Sequence, residues 1–280
     1  MSATAFTIAP LPLVRRTWFI RSLQAGVILF FVAAWEILGQ AGILDKFYYS
    51  RPSLFVPRIA EWICSCDVAE GFAPARPSGI ATDVVVTLTE TVLGFGIGTL
   101  LGVAAGYAFA RNRLLGQAFD PLLSMFNAIP RLVLAPVFIL AFGIDLASKV
   151  ALGVTLVFFI VFFATFTAVR DVDQTLVDNV RVLGARRQDV TFHVLLPAAF
   201  SAIVASLRTS AGFAFAGAVV AEYIGSNVGL GRRIATAEAF FDSTGVFAGI
   251  VLIAALALVL DAVLQLVEGR FSRWRPRSDH

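Results

Sequence analysis

The chain has 280 residues, of which 58% are hydrophobic and only 15% charged, and its mean hydropathy is +0.84. Soluble domains run nearer a quarter charged, so this composition excludes an ordinary soluble fold. The net charge of +3 does not suggest nucleic-acid binding, because the arginines flank apolar runs instead of forming a stripe.

A mixed, proline-containing tail over residues 1–17 precedes the first apolar run, 18–40, which reads as a retained anchor and not a cleavable signal. Further runs follow at 84–110, 121–143, 149–170, 197–222 and 246–268. Each is near the ~20 residues needed to cross about 30 Å of hydrocarbon. The expectation is an all-α membrane protein with six transmembrane helices in one domain, 18–270, followed by a short tail, 271–280. Residues 41–83 read as a long irregular loop holding Pro52, Pro57, Pro74 and Pro77, with a small amphipathic segment near 56–63. Cys64 and Cys66 lie in this loop. Cys-x-Cys closes too tight a ring for an ordinary disulfide. With His193 and His280 the only histidines, no metal site is expected.

The second run carries Gly94, Gly98, Gly102 and Gly106, one glycine every four residues on one helix face. Small residues at this spacing let membrane helices approach closely, which predicts a tight seam with a neighbouring helix. The third run is interrupted by Pro130 and Pro136; broken helices persist in membranes where neighbours or a cavity satisfy the freed backbone groups. Phe158, Phe159, Phe162, Phe163 and Phe166 of the fourth run read as packing and lipid-facing surface.

The polar connection 171–196 has helical patterning. Leu176, Val180 and Leu183 fall at i, i+4 and i+7 and so share one face. Gly184 permits a sharp turn. Pro197 marks the entry to the next helix, where a missing N–H does no harm. A short amphipathic helix at a membrane surface suits docking into another protein's groove.

Arginine placement sets the orientation. Arg15, Arg16 and Arg21 precede the first run; Arg111 and Arg113 follow the second; Arg170, Arg181, Arg186 and Arg187 lie between the fourth and fifth; Arg270, Arg273, Arg275 and Arg277 follow the sixth. With six crossings all four groups share one side, the cytoplasm. Both termini and the 171–196 connection are therefore expected there, with the 41–83 loop outside.

Intramembrane charges are costly and invite functional hypotheses; here they are Glu36, Glu90, Arg131, Arg208, Glu222 and Asp261. Arg208 and Glu222 share the fifth run, fourteen residues or about 21 Å apart, and cannot pair within it. Both are candidate substrate-path residues. Arg208 either faces an aqueous path and attracts an anion, or pairs with a carboxylate such as Glu90 and braces the bundle. Glu222 reads more readily as an anchor for the outer loop, and Arg131 as snorkelling to the interface. No Walker A motif, phosphate-binding glycine loop or nucleophile–base pair is visible, so the chain is not expected to be an enzyme and no cofactor is expected.

The connection also resembles the loop of permease subunits of binding-protein-dependent ABC importers. Asp178-Asn179-Val180 occupies the position of that family's Glu-Ala-Ala triplet, Gly184 falls at the required spacing, and Val194-Leu195-Leu196-Pro197 closes the pattern. Asn127 to Pro136, and the run Ala221-Glu222 through Gly225, Gly229 and Gly231, resemble the same family. The resemblance spans roughly residues 30–275, and its branch looks like the permeases for nitrate, sulfonate, taurine and thiamine-precursor pyrimidines. It implies a type I ABC importer permease fold with a cytoplasmic coupling helix over residues 173–190, in the bacterial inner membrane. It implies a coupling role for Asp178, Val180, Leu183, Gly184, Ala185 and Pro197. Gly225, Gly229 and Gly231 would shape a re-entrant loop at the external mouth. The implied partners are a separate ATPase subunit, a periplasmic or lipid-anchored solute-binding protein, membrane lipid and a second copy of the chain. The substrate stays open between a small anion (sulfonate, nitrate or taurine) and a vitamin-like pyrimidine. A stand-alone secondary transporter and a structural or assembly protein are the rivals.

Overall fold

The computed structural model describes residues 17–64, 79–112, 114, 116, 118–119, 125–126 and 129–271. The described residues form helices α1 (Thr17–Gln40), α2 (Lys46–Tyr49), α3 (Pro52–Cys64), α4 (Ile80–Arg111), α5 (Ala135–Phe142), α6 (Leu146–Arg170), α7 (Gln174–Val182), α8 (Arg187–Val190), α9 (Leu196–Ile224), α10 (Leu230–Ala239) and α11 (Ser243–Phe271). Five helical stretches are long and apolar enough to cross a membrane: those of α1, α4, α6, α9 and α11.

The third expected span is broken where the sequence places its prolines: the described residues show a 3-10 turn, Arg131–Leu134, leading into the eight-residue α5, which is too short to cross a membrane by itself. Pro130 and Pro136 each lack an N–H and favour breaks, and the ladder restarts with Pro136 in the first turn of α5. Residues 121–124 and 127–128 lie outside the described residues, as do the 1–16 and 272–280 tails, Cys66, Pro74, Pro77 and His280. The segment expected as an irregular loop is more regular than expected: 46–64 is largely helical, and α4 begins at Ile80.

The core is a three-helix sandwich in which α6 lies between α4 and α9. The α4–α6 contact rests on the four glycines. A Cβ on Gly94 would sit 3.1 Å from the Cα of Gly153. On Gly98 it would sit 2.7 Å from Val157 Cβ, on Gly102 2.9 Å from the Phe158 carbonyl oxygen, and on Gly106 2.7 Å from that of Phe162. Such distances leave no room for a side chain, so backbones touch directly and dispersion accumulates along the seam. Val157, Val161 and Ala214 fill the space where α6 meets α9. Phe162 and Phe166 are buried against Ala105 and Phe109, while Phe158, Phe159 and Phe163 are partly buried around them. Arg131 lies 4.6 Å over the Phe159 ring.

At the end of the bundle holding the 41–64 segment, α3 docks on α11 through stacked Phe55 and Phe247 beneath Trp35, and through Arg58 donating to Asp242 at 2.9 Å. Glu36 of α1 accepts from the backbone and hydroxyl of Ser53, each at 2.9 Å. Apart from this clasp, α1 is exposed along most of its length.

Candidate functional site

The 171–196 connection folds as two short helices meeting at Gly184. Asp173 caps α7: its side chain accepts from the Thr175 amide at 2.8 Å, which holds the Asp173 carboxyl below its ordinary value. At the other end Gly184 has φ +89°, its amide donates to the Arg181 carbonyl at 2.9 Å, and the Ala185 amide donates to Val180 at 3.2 Å. This is a Schellman cap, in which a left-handed residue lets the chain fold back and satisfies the last carbonyls. Val172, Val177 and Val190 are buried beneath, packed with Val180, Ala185, Val194 and Leu195.

The expected apolar face is split. Val180 turns inward with Val177, whereas Leu176 is exposed at 55% and Leu183 at 86%, beside Val182 at 87%. The buried stripe runs through Val177 and Val180, so Leu176 and Leu183 flank it. Asp178 is exposed and paired with Arg181 at 3.4 Å. The single coupling helix expected over 173–190 is likewise divided, into α7 and α8.

Pro197 stands in the first turn of α9, as expected, but no loop precedes it. The chain runs helically from α8 through a π turn, Thr191–Leu195, into α9, with the Leu196 amide donating to the Thr191 carbonyl. The widened turn shifts the ladder by one residue and so accommodates a proline inside a continuous helix. Thr191 sits in this turn, and its hydroxyl meets Tyr107 Oη at 2.6 Å. Arg111, the last residue of α4, donates to both Tyr107 and Thr191. Sequence reasoning missed this triad; the only signal was two polar groups one turn apart, Tyr107 and Arg111, at the end of an apolar run. Beside it a cavity of about 900 Å³ opens between the ends of α4 and α6 and the connection.

A second polar constellation is buried near the other ends of α4 and α9. Glu222 is 0% exposed. It accepts from the Thr87 hydroxyl at 2.6 Å and from the Gly231 amide at 2.8 Å. The Leu230 amide donates to Thr87 Oγ1 at 3.2 Å, and the Gly229 amide to Asp83 at 2.9 Å. Arg233 pairs with Asp83 and lies over Trp62. Gly229 has φ +119°, and a Cβ there would run into the Glu222 carboxylate. Glu90 and Lys149 are buried around the same cluster, and Lys149 donates to the Ile144 carbonyl. Thus Gly225, Gly229 and Gly231 form a tight corner between α9 and α10 pinned to α4. Asp83 and Thr87, one helical turn apart, were not singled out from the sequence.

The two candidate path residues are not brought together. Glu222 lies inside the packing, so it cannot touch a passing solute in this conformation. Arg208 makes a bidentate pair with Asp261 of α11, at 3.0 and 3.2 Å, and not with Glu90. Among the described residues no cluster of His, Cys, Asp and Glu could hold a metal ion.

Residues 98–273 match the family described as the binding-protein-dependent transport system inner membrane component. The aliphatic sulfonates transport permease protein SsuC of Bacillus subtilis, a putative assignment for that protein, is 33% identical over 244 residues, 87% of this chain and 84% of that one. The taurine transport system permease protein TauC of Escherichia coli is 25% identical over 90% of each. Among solved structures, the inward-facing MetNI methionine ABC transporter matches in fold, with a TM-score of 0.59 and 18% identity over 69% of this chain and 94% of that one. The glycine-seamed helical bundle with its capped membrane-surface loop is therefore that of a transport subunit and not of a catalyst, and the chain belongs to the inner-membrane components of binding-protein-dependent transport systems, the permeases of ABC importers.

Proposed function

We propose that the chain crosses the cytoplasmic membrane six times with both termini inside, that it works as a homodimer, and that α7 and its Gly184 cap insert into a separate ATPase subunit. The observation that carries this reading is the pair Val182 and Leu183, 87% and 86% exposed at the tip of a helix whose two ends are capped and whose inner face is packed. An apolar knob on a rigid mount is what a partner groove recognises. Through the Thr191–Tyr107–Arg111 triad, movement of that knob reaches α4 directly. ATP-driven closure of two ATPases would tilt the bundles between inward- and outward-facing states, with solute crossing near the dimer axis. The external solute-binding protein docks over α3 and α10 in this orientation.

For the solute, a small anion of the sulfonate or taurine kind fits best, since SsuC and TauC relatives align over most of the chain. A pyrimidine vitamin precursor is the second reading, because the formylaminopyrimidine transport permease protein ThiX of Halalkalibacterium halodurans is 30% identical over 70% of this chain. Arg208 remains the candidate path residue, as its guanidinium is half-exposed and its partner Asp261 sits on another helix.

The test is reconstitution of the chain with its ATPase and binding protein. Leu183→Asp should insert normally yet lose ATPase recovery and uptake; full uptake with the ATPase bound sinks the coupling role. Cysteine at Asn227 should label from outside intact cells and cysteine at Gln188 only after the inner face is opened. Labelled taurine and formylaminopyrimidine competing for uptake decide the solute class.

A further inference from the structure

The cavity beneath the connection has a lining that nothing in the coupling role requires. Arg111, Arg170 and Arg181 line it together, and among its described lining residues there is no Asp or Glu. The rest of the described wall is mostly apolar, including Phe109, Val177 and Leu195. Two of the three guanidinium groups are held in place by the protein: Arg111 by Tyr107 and Thr191, and Arg170 by its position 5.1 Å over the Phe166 ring. Arg181 approaches from α7, where it makes an exposed 3.4 Å contact to Asp178. Arg111 and Arg170 are the last residues of α4 and α6, so the cavity sits at the level where those helices leave the hydrocarbon.

We propose that this cavity binds a phosphate group, and that Arg170 and Arg181 are its principal contacts. Guanidinium is suited to phosphate because its planar array of N–H donors matches two oxygens at once. A basic pocket between membrane helices on the cytoplasmic side is the environment in which anionic lipid headgroups bind. The volume, about 900 Å³, far exceeds an inorganic phosphate, and the apolar wall accommodates the glycerol and first methylenes of a phospholipid. A lipid so held would tie α7 to the ends of α4 and α6 and make coupling depend on membrane composition. The cytoplasmic placement rests on the orientation proposed above; the binding itself does not.

The experiment uses the full chain, delipidated in detergent. Native mass spectrometry follows phosphatidylglycerol and phosphatidylcholine as each is titrated in, and thermal shift follows inorganic phosphate. Arg170→Gln with Arg181→Gln should weaken phosphatidylglycerol binding roughly tenfold or more, as the loss of two basic residues at an anionic surface implies. Arg186→Gln removes the same charge from the same connection but outside the cavity lining, and should leave binding unchanged. Arginine-dependent stabilisation by inorganic phosphate, without retention of phosphatidylglycerol, assigns the same pocket to a soluble phosphate. Equal phosphatidylglycerol binding by the unaltered chain, the double variant and Arg186→Gln, with no phosphate stabilisation, overturns the proposal. Because no ATPase is present, that failure is separate from a failure of coupling, and the Gln188 labelling decides orientation on its own.

Discussion

Arg111 and Thr191 are hydrogen-bonded across 80 residues of sequence, joining the end of the glycine-seamed helix α4 to the π turn that leads into α9. Tyr107 completes the triangle. Thr191→Val and Tyr107→Phe each remove a hydroxyl while keeping shape, and each should cost about 0.5–1.5 kcal/mol for the hydrogen bonds lost, since the remaining pair stays bonded through Arg111. The expected outcome is normal ATPase binding with fewer solutes moved per ATP hydrolysed. A hydrolysis-to-uptake ratio measured in proteoliposomes checks it, and the double variant should be less than additive because the groups share one network.

The seam predicts a steric limit. Gly98→Leu and Gly102→Leu place side chains where Val157 and the Phe158 carbonyl already stand. Overpacking of this kind costs at least about 1–3 kcal/mol. Both variants should melt earlier in detergent, and Gly96→Leu, where nothing lies within 4 Å, should not. Equal melting of all three would show that α4 and α6 are not held by backbone contact.

At Gly184 the left-handed backbone separates substitutions by type. Gly184→Val should weaken the cap by about 1–3 kcal/mol, while Gly184→Asn, which tolerates that conformation, should cost less. Recovery of the ATPase on the immobilised permease should follow the order Gly, Asn, Val.

Glu222 is an anchor whose removal strands a donor. Glu222→Ala leaves the Gly231 amide without its acceptor inside a dry packing, costing about 1–3 kcal/mol, while the Thr87 hydroxyl falls back on the Asp83 carbonyl at 3.0 Å. Glu222→Gln keeps one acceptor oxygen and should lose less. Protease sensitivity of the corner between α9 and α10, scored on the purified permease in detergent, reads the difference.

Asp173 gives a pH dependence of known sign. Its carboxylate is stabilised by the Thr175 amide, so its folded value lies below the ordinary 3.8. A depressed carboxylate contributes stability above the unfolded value and loses it as pH falls through the folded one. Protection of the amides of α7, corrected for intrinsic exchange, should therefore be flat near neutrality and decline only on acidification past the ordinary carboxylate range. Asp173→Asn, still a competent cap, should remove the decline.

The long apolar helices and the glycine seam were legible because each depends on a single periodicity: length of hydrocarbon crossed, or small residues every four positions. Gly184 was legible too, since only a turn explains a glycine at that point in an amphipathic run. What escaped depends on partners far away in sequence. Asp83 and Thr87 look like polar interruptions until Gly229, Leu230 and Arg233 are brought to them, and Arg208 could be given Glu90 as readily as Asp261. Pro197 was legible as a first-turn proline, whereas the π turn that joins α9 to α8 without a loop leaves no mark in the apolar pattern. The split of Leu176 and Leu183 from Val180 is set by the valine cluster below, which includes Val190 from the next helix.

The buried cluster around Glu222 also fixes an order of biogenesis. Asp83 and Thr87 enter the bilayer with α4, but their partners Gly229 and Glu222 lie 146 and 135 residues further along. At ribosomal speed that gap is on the order of ten seconds. For that interval the Thr87 hydroxyl can still donate to the Asp83 carbonyl, but the Asp83 carboxylate lacks Gly229 and Arg233, so the nascent chain must either keep that end of α4 close to water or be shielded by the insertion machinery. Chains truncated before Gly229 should be recognised by membrane quality-control proteases, whereas chains ending just after Arg233 should persist.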